Sequence, residues 1–460
     1  MRGGKSFLLL LIVALGIGGY AWFVERDKEP AGSTPKHDKV FTVESEKIDQ
    51  ITVKSATGET TKLMREAGAW KIVSPAALTP DLAEVSAMTT ALAGVEMEKV
   101  VEENAASLGN FTLEPARISV TFHVEGGASH TLDLGVKTPT GADLYARADG
   151  GKKVFLVGAY REDALNKSTF NLRDKTILTF DRDRADYLKI DNGKTPVSMA
   201  KAGTAQWKLS DPITGGADFT AVDGIIGRLF QLKMKSLVAE DGSADSKKYG
   251  FDKPQYTVTL GAGSARSTIV IGGAAEEGSV YARELTRPAV FTIESALADD
   301  LKKPATDYRQ KDAFDFRAFT ARRLEITRGG QTYVFALASP AAEAKPAEWK
   351  LEKPADKAID GTKANDMLTN FSNLRADSFV DAPARGDGRV NPDETTVTAT
   401  FGEEKASTTE TVTFRVIPAK AKGADPTVHA MRKGEKGALV ISALEFDKAM
   451  AIFKELTGSK

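Results

Sequence analysis

Three tryptophans set the frame for this chain. Trp70, Trp207 and Trp349 are each followed five residues on by proline (Pro75, Pro212, Pro354) and eleven residues on by aspartate (Asp81, Asp218, Asp360). The three windows align without a gap and recur at intervals of about 140 residues, the size of a small domain. With only 4 tryptophans in 460 residues, that spacing records one domain duplicated into three. The length agrees: a chain this long exceeds a single core and suits three.

Each tryptophan ends a run of alternating strands. In the first copy residues 51–54, 61–64 and 70–73 alternate apolar and polar side chains and are separated by Gly58 and Gly68. This is the pattern of an antiparallel meander. Residues 188–190 and 207–209 are the counterparts in the second copy, and 324–326 and 349–351 in the third, which carries an Ala/Lys/Pro-rich insertion over 339–348. The proline stops the strand because it cannot donate to the ladder. The aspartate then suits a helix N-cap, accepting free N–H groups of the first turn. Met88, Leu92 and Val95, then Ile225, Leu229 and Leu232, then Met367, Phe371 and Leu374 follow at steps of four and three. Three copies of one stripe predict three amphipathic helices.

A second landmark follows each helix. Asn110-Phe111-Thr112-Leu113-Glu114-Pro115 corresponds to Tyr249-Gly250-Phe251-Asp252-Lys253-Pro254, and loosely to Arg389-Val390-Asn391-Pro392. Alternating strands come next (118–122, 256–260, 396–401). Leu132-Asp133-Leu134-Gly135 and Ile269-Val270-Ile271-Gly272 then read as strands ending in glycine turns. Tyr145-Ala146-Arg147 matches Tyr281-Ala282-Arg283. The third copy has His429-Ala430-Met431 there and moves its arginine to position 432. A last strand runs into a short helix, and the first two copies close alike with Arg173-Asp174-Lys175 and Arg309-Gln310-Lys311. The expected fold class is α+β: three tandem repeats, each an antiparallel sheet with one main and one short helix, behind an N-terminal transmembrane helix.

Residues 7–24 form an uncharged run preceded by Arg2 and Lys5 and closed by Glu25-Arg26-Asp27-Lys28-Glu29. At 1.5 Å per residue it spans about 27 Å, enough to cross a bilayer core. The positive flank predicts a cytoplasmic N-terminus and an extracytoplasmic remainder, single-pass in the cytoplasmic membrane. The rival reading is a cleaved signal peptide with Gly19-Tyr20-Ala21 as its site. The aromatic cluster Tyr20, Trp22 and Phe23 favours an uncleaved anchor. The expected domains are therefore 1–24 as anchor, 25–40 as polar tether, and repeats at 41–181, 182–317 and 318–460.

The 62 basic and 63 acidic residues balance, which gives no drive toward nucleic acid. Cysteine is absent, which excludes disulfides and thiolate chemistry. His123 and His130 bracket a Gly-Gly turn but lack a clear third metal ligand. Asp181, Asp183 and Asp186 lack the glycine and glutamate of a calcium loop. Gly193-Lys194-Thr195 is a P-loop fragment without its upstream glycine, and Ser33-Thr34-Pro35-Lys36 lies in the tether with no partner motifs. The acidic pairs Glu102-Glu103 and Asp299-Asp300 are not mirrored between repeats. No catalytic residue, cofactor or metal site is expected, and the protein is not expected to be an enzyme. Arg147 and Arg283 are speculative anion contacts, since a guanidinium fork suits carboxylate or phosphate; an arginine on a solvent face or in an intradomain ion pair is the favoured reading. The tryptophans read as core anchors rather than stacking platforms.

The anchor, the W-x-hydrophobic-x-x-P window, the capped helix and the hydrophobic-x-hydrophobic-G strand together resemble the DUF4340 domain proteins. The resemblance covers most of residues 41–317 and, more weakly, 318–460, and transfers no catalytic residues. It implies membrane-tethered exported proteins, often encoded beside ABC-type transporter components related to gliding-motility auxiliary systems. The expected function is thus a membrane-anchored extracytoplasmic binding or scaffold protein, an accessory of an ABC-type transporter or envelope complex. Its partners would be the cytoplasmic membrane, through residues 7–24, and transporter subunits. The alternatives are a periplasmic ligand-binding protein or hydrolase using a cleft between repeats, and a mechanical spacer.

Overall fold

The computed structural model describes residues 37–203, 206–240, 246–276, 278–341, 347–381, 394–419 and 425–459. The anchor 7–24, most of the tether with Ser33 to Lys36, the landmark 389–392 and much of the insertion 339–348 lie outside the described residues. Within them, no helix is long and apolar enough to cross a membrane.

Three antiparallel sheets share one strand plan. In the first repeat the strands are β1 (Ile48–Lys54), β2 (Thr60–Glu66), β3 (Ala69–Ser74), β4 (Lys99–Glu102), β5 (Ile118–Val124), β6 (Ser129–Lys137), β7 (Asp143–Ala148) and β8 (Val154–Gly158), with α1 (Leu82–Ala93) between β3 and β4. The sheet order is β3-β2-β1-β5-β6-β7-β8-β4. A meander precedes the helix and a second follows it, and their first strands pair antiparallel: Ile51 faces Phe122 and Val53 faces Val120. The short strand after the helix closes the far edge.

The second repeat follows the same plan with β9 (Tyr187–Asp191), β10 (Val197–Ala202), β11 (Gln206–Asp211), an edge strand β12 (Gly215–Gly216), α2 (Phe219–Gln231), β13 (Ser236–Ala239), β14 (Tyr256–Ala262), β15 (Ala265–Ala274), β16 (Ser279–Glu284) and β17 (Val290–Glu294). The third has β18 (Ala321–Arg328), β19 (Gln331–Ser339), β20 (Glu348–Lys353), an edge strand β21 (Lys357–Ile359), α3 (Gly361–Ser372), β22 (Ser378–Val380), β23 (Glu394–Phe401), β24 (Thr408–Ile417), β25 (Thr427–Arg432) and β26 (Ala438–Ser442). It ends in α4 (Ala443–Thr457), 15 residues where the closing helices of the other repeats, Glu162–Leu165, Thr169–Leu172 and Leu297–Leu301, have 4 or 5.

Each main helix starts where its aspartate stands. Asp81 accepts from the Ala83 and Glu84 amides, Asp218 from Ala221, and Asp360 from Thr362 and Lys363. The prolines after each tryptophan strand, Pro75, Pro212 and Pro354, all follow cis peptide bonds. The helix stripe is buried, although Val95, Leu232 and Leu374 lie just past the last helical turn and Leu232 is only half-buried. In the first repeat Val85, Met88 and Leu92 pack on Ile51, Val53, Phe122 and Leu134. Each such fully buried aliphatic or aromatic side chain contributes about 1.5–3 kcal/mol. Trp349 belongs to the third repeat's core, Trp70 packs half-buried against the first, and Trp207 is buried.

Two local expectations change. Gly135 and Gly272 do not end strands, because β6 and β15 run through them. A Cβ on Gly135 would overlap the Phe111 carbonyl oxygen, and one on Gly272 the Tyr249 carbonyl oxygen. The glycine therefore makes room for the post-helix landmark, which lies directly on the strand. That landmark covers the sheet face opposite the helix: Phe111 packs on Tyr145 at 4.9 Å between ring centroids, and Tyr249 on Tyr281 at 4.8 Å. The repeat boundaries also move toward the N-terminus. The chain divides into a compact unit ending at Lys175 and a second one from Thr176 onward. Phe180 packs on Phe230, while Ala313, Phe314 and Phe316 belong to the third repeat's core. Each segment after the Arg-x-Lys closure thus serves the repeat that follows it.

Candidate functional site

Within the second unit, a cleft of about 750 Å³ opens between the second and third repeats. One of its walls begins with a strand-parity effect. Val428, Ala430 and Arg432 alternate along β25 toward the core face, and Glu410, Val412 and Phe414 do the same along β24. Val412 pairs with Arg432 in the ladder. Glu410 and Arg432 therefore extend two apolar rows by one step, just beyond the end of the core. Across that end passes the segment after Arg309, where Asp315 stands between the buried rings of Phe314 and Phe316.

The result is a clustered charge network. Arg432, 10% exposed, donates to Gln310 (2.8 Å) and Asp315 (3.0 Å), contacts Glu435 at 3.3 Å, and lies 3.8 Å from Glu410. The Asp315 amide donates to Glu410 Oε2 at 2.8 Å, and Gln310 Nε2 donates to Asp315 Oδ1. The second repeat joins from its sheet edge. Gly216 of β12 donates its N–H to Glu435 Oε1 (3.1 Å), and Gln206 of β11 reaches Asp315 Oδ2 (3.4 Å). A Cβ on Gly216 would meet the Gln310 side-chain oxygen, so any larger residue there would displace the Gln310 side chain from its place in the network. Further along the cleft, Arg375 lies 3.7 Å from Asp312 and 4.0 Å from the cap residue Asp218. Trp207, Phe219, Lys208 and Lys433 complete the named walls.

The two carboxyls at the centre titrate apart. Burial pushes Glu410 up, the charge of Asp315 pushes it further, and it reaches about 7. Burial also pushes Asp315 up, but Arg432 and the hydrogen bonds from Glu410 and Gln310 outweigh this and hold it below the usual carboxylate range. Such a split can mark an acid–base couple. Here the carboxylate oxygens are occupied by Gln310, Arg432, Gln206 and the Asp315 amide, which is the arrangement of a clasp. Beside it Arg309 is 1% exposed, donates to the Lys436 carbonyl and stacks 4.6 Å from Phe379. Burial lowers its pKa, opposed by Glu435.

The candidates read from the sequence lie elsewhere. Arg147 donates to Asp133 Oδ2 at 2.8 Å, and Ser119 donates to Oδ1 of the same carboxylate, so this guanidinium answers a carboxylate of its own sheet. Arg283 lies 4.8 Å from the Phe251 ring. Neither lines the cleft. His123 pairs with Asp49 and His130 with Asp149, and no group of three metal-ligating side chains occurs among the described residues. Asp181 caps a turn at Asp183, Arg182 binds Asp223, and Gly193 sits in a turn held by Asp191. Glu103 meets Lys153, and Asp299 and Asp300 meet Lys302 and Lys303. The one sequence signal for the clasp was the arginine displaced from position 431 to 432; Glu410 and Asp315 carried none.

A comparison with curated proteins and with solved structures finds no match. A family model does match, over residues 70–215 and 207–395, opening at Trp70 and again at Trp207. These two passes span most of the chain in register with its tryptophans, and the chain belongs to the DUF4340 family, a domain of unknown function.

Proposed function

We propose that this chain is a membrane-anchored extracytoplasmic binding or scaffold protein, an accessory of an ABC-type transporter or envelope complex. The observation that carries the proposal is the order of its parts. An uncharged 7–24 segment with Arg2 and Lys5 before it precedes three copies of one sheet domain. Tandem copies of one domain offer related surfaces on a single chain, which suits holding a partner. The family resemblance to proteins encoded beside transporter components supports the choice of partner. Affinity capture of the full chain from detergent-solubilised membranes should bring down a transporter subunit. Recovery of the chain alone, or from the soluble fraction with residues 1–24 removed, would overturn the reading.

The cleft favours a second reading, a periplasmic ligand-binding protein or hydrolase. Its walls combine carboxylates, arginines and two aromatic rings, which suit a polar ligand. The residues for that role are Arg375 and Asp312 rather than Arg147 and Arg283. Native mass spectrometry of the full chain should then show a bound small molecule that Arg375→Ala releases. An identical unliganded mass for both proteins would remove this reading.

A further inference from the structure

We propose that Glu410, Asp315 and Arg432 form a proton-operated latch between the second and third repeats, closed while Glu410 is neutral and loosened when it ionises. The argument begins with counting charges. Three carboxylates, Asp315, Glu435 and Glu410, face the guanidinium of Arg432 at 3.0, 3.3 and 3.8 Å, and Glu435 has a second one, that of Arg309, at 3.9 Å. Arg309 answers Glu435, which leaves Asp315 and Glu410 to share Arg432; one cation cannot balance both shielded anions, so one of these two is held neutral. Glu410 is the one that yields: it lies farthest from Arg432 and beside the Asp315 carboxylate, and these outweigh the Asp315 amide bond to its Oε2, which by itself favours the ionised form. Among the described residues, the remaining charged groups of the cleft, Asp312, Arg375, Asp218, Lys208 and Lys433, make no ion pair with it.

The same cluster joins the two repeats. Gly216 of the second repeat bonds to Glu435, Gln206 bonds to Asp315, and Gln310 bonds to both Arg432 and Asp315. A second negative charge beside Asp315 would draw Arg432 away from the contacts that hold Gln310 and Glu435. The edge strand of the second repeat then loses its tie. The direction with pH follows. Glu410, raised from 4.5 to about 7, gives a contribution that is complete below 4.5 and declines as pH rises through 7. Asp315, held below 3.8, acts in the opposite sense: its contribution is complete above 3.8 and is lost in acid. The latch is therefore tightest in weakly acidic solution and opens on the alkaline side of neutrality. This holds whichever partner or ligand the protein takes.

Hydrogen–deuterium exchange of the full chain in detergent tests the latch, with rates corrected for the intrinsic pH dependence. Amides over residues 206–216, 309–316 and 430–437 should exchange about tenfold faster at pH 8 than at pH 6, the linkage expected for this pKa shift. Residues 118–124 of the first repeat should not change. In Glu410→Gln, whose amide mimics the neutral acid, the difference should vanish and exchange should stay slow at both values. Equal wild-type rates at the two pH values would overturn the proposal. So would a rise shared by residues 118–124, or an undiminished rise in Glu410→Gln. Should that variant not fold, the wild-type profile alone still decides the matter.

Discussion

Arg147 and Arg283 occupy the same place in their sheets, and Arg432 stands one residue beyond it. Met431, not Arg432, pairs at the corresponding ladder position: Arg147 faces Asp133, Arg283 faces Val270, and Met431 faces Thr413. Because side chains alternate with period two, that single step turns the arginine to the other face. On the outer face, an arginine is absorbed by its own domain, through Asp133 in one repeat and the Phe251 ring in the other. On the inner face, beyond the last apolar residue of its row, it leaves its domain and meets the neighbouring repeat. An eroded copy of a motif has thus become the point where two repeats join.

Removing the three arginines one at a time tests that comparison. Arg432→Ala should be the most damaging, because it leaves Asp315 and Glu410 shielded without their cation and Glu435 with only Arg309 at 3.9 Å. A loss of about 3–5 kcal/mol is expected in the urea stability of the unit from Thr176 onward. A loss below 1 kcal/mol would mean the cluster is solvated and the comparison empty. Arg147→Ala also strands a buried carboxylate, but Ser119 still donates to Asp133, so about 2–3 kcal/mol is expected. Pairing it with Asp133→Asn should recover most of that loss, as the double-mutant cycle would report. Arg283→Ala removes a cation–π contact and should cost about 0.5–1 kcal/mol, with no effect on exchange at residues 206–216.

What was legible in the sequence follows the range of the interactions involved. The caps at Asp81, Asp218 and Asp360 and the meanders before them are set by neighbours within a few residues, and the duplicated tryptophan window repeats them three times. Gly135 and Gly272 were misread as turn residues because their real constraint, the carbonyl of Phe111 or Tyr249, comes from a distant loop. The tyrosine of each Tyr-Ala-Arg reads locally as one more alternating strand residue, yet its ring packs against an aromatic ring of that same loop. The segments ending in Phe180 and Phe316 look like the tails of finished domains. In space they pack with the following one, where Phe314 and Phe316 complete the third core.

The charge cluster is the extreme case. Gln206, Gly216, Gln310, Asp315, Glu410, Arg432 and Glu435 come from two repeats and the segment between them, and apart from the displaced Arg432 none is unusual in its own surroundings. Sequence alone determined the duplication, the antiparallel sheets with a capped helix and the absence of thiol chemistry. Periodicity, capping and composition act over short distances or over the whole chain at once. Only the tertiary structure decided which carboxylates share one arginine. Burial and electrostatic coupling depend on distance in space, and a one-residue shift along a strand reverses the face on which a charge falls.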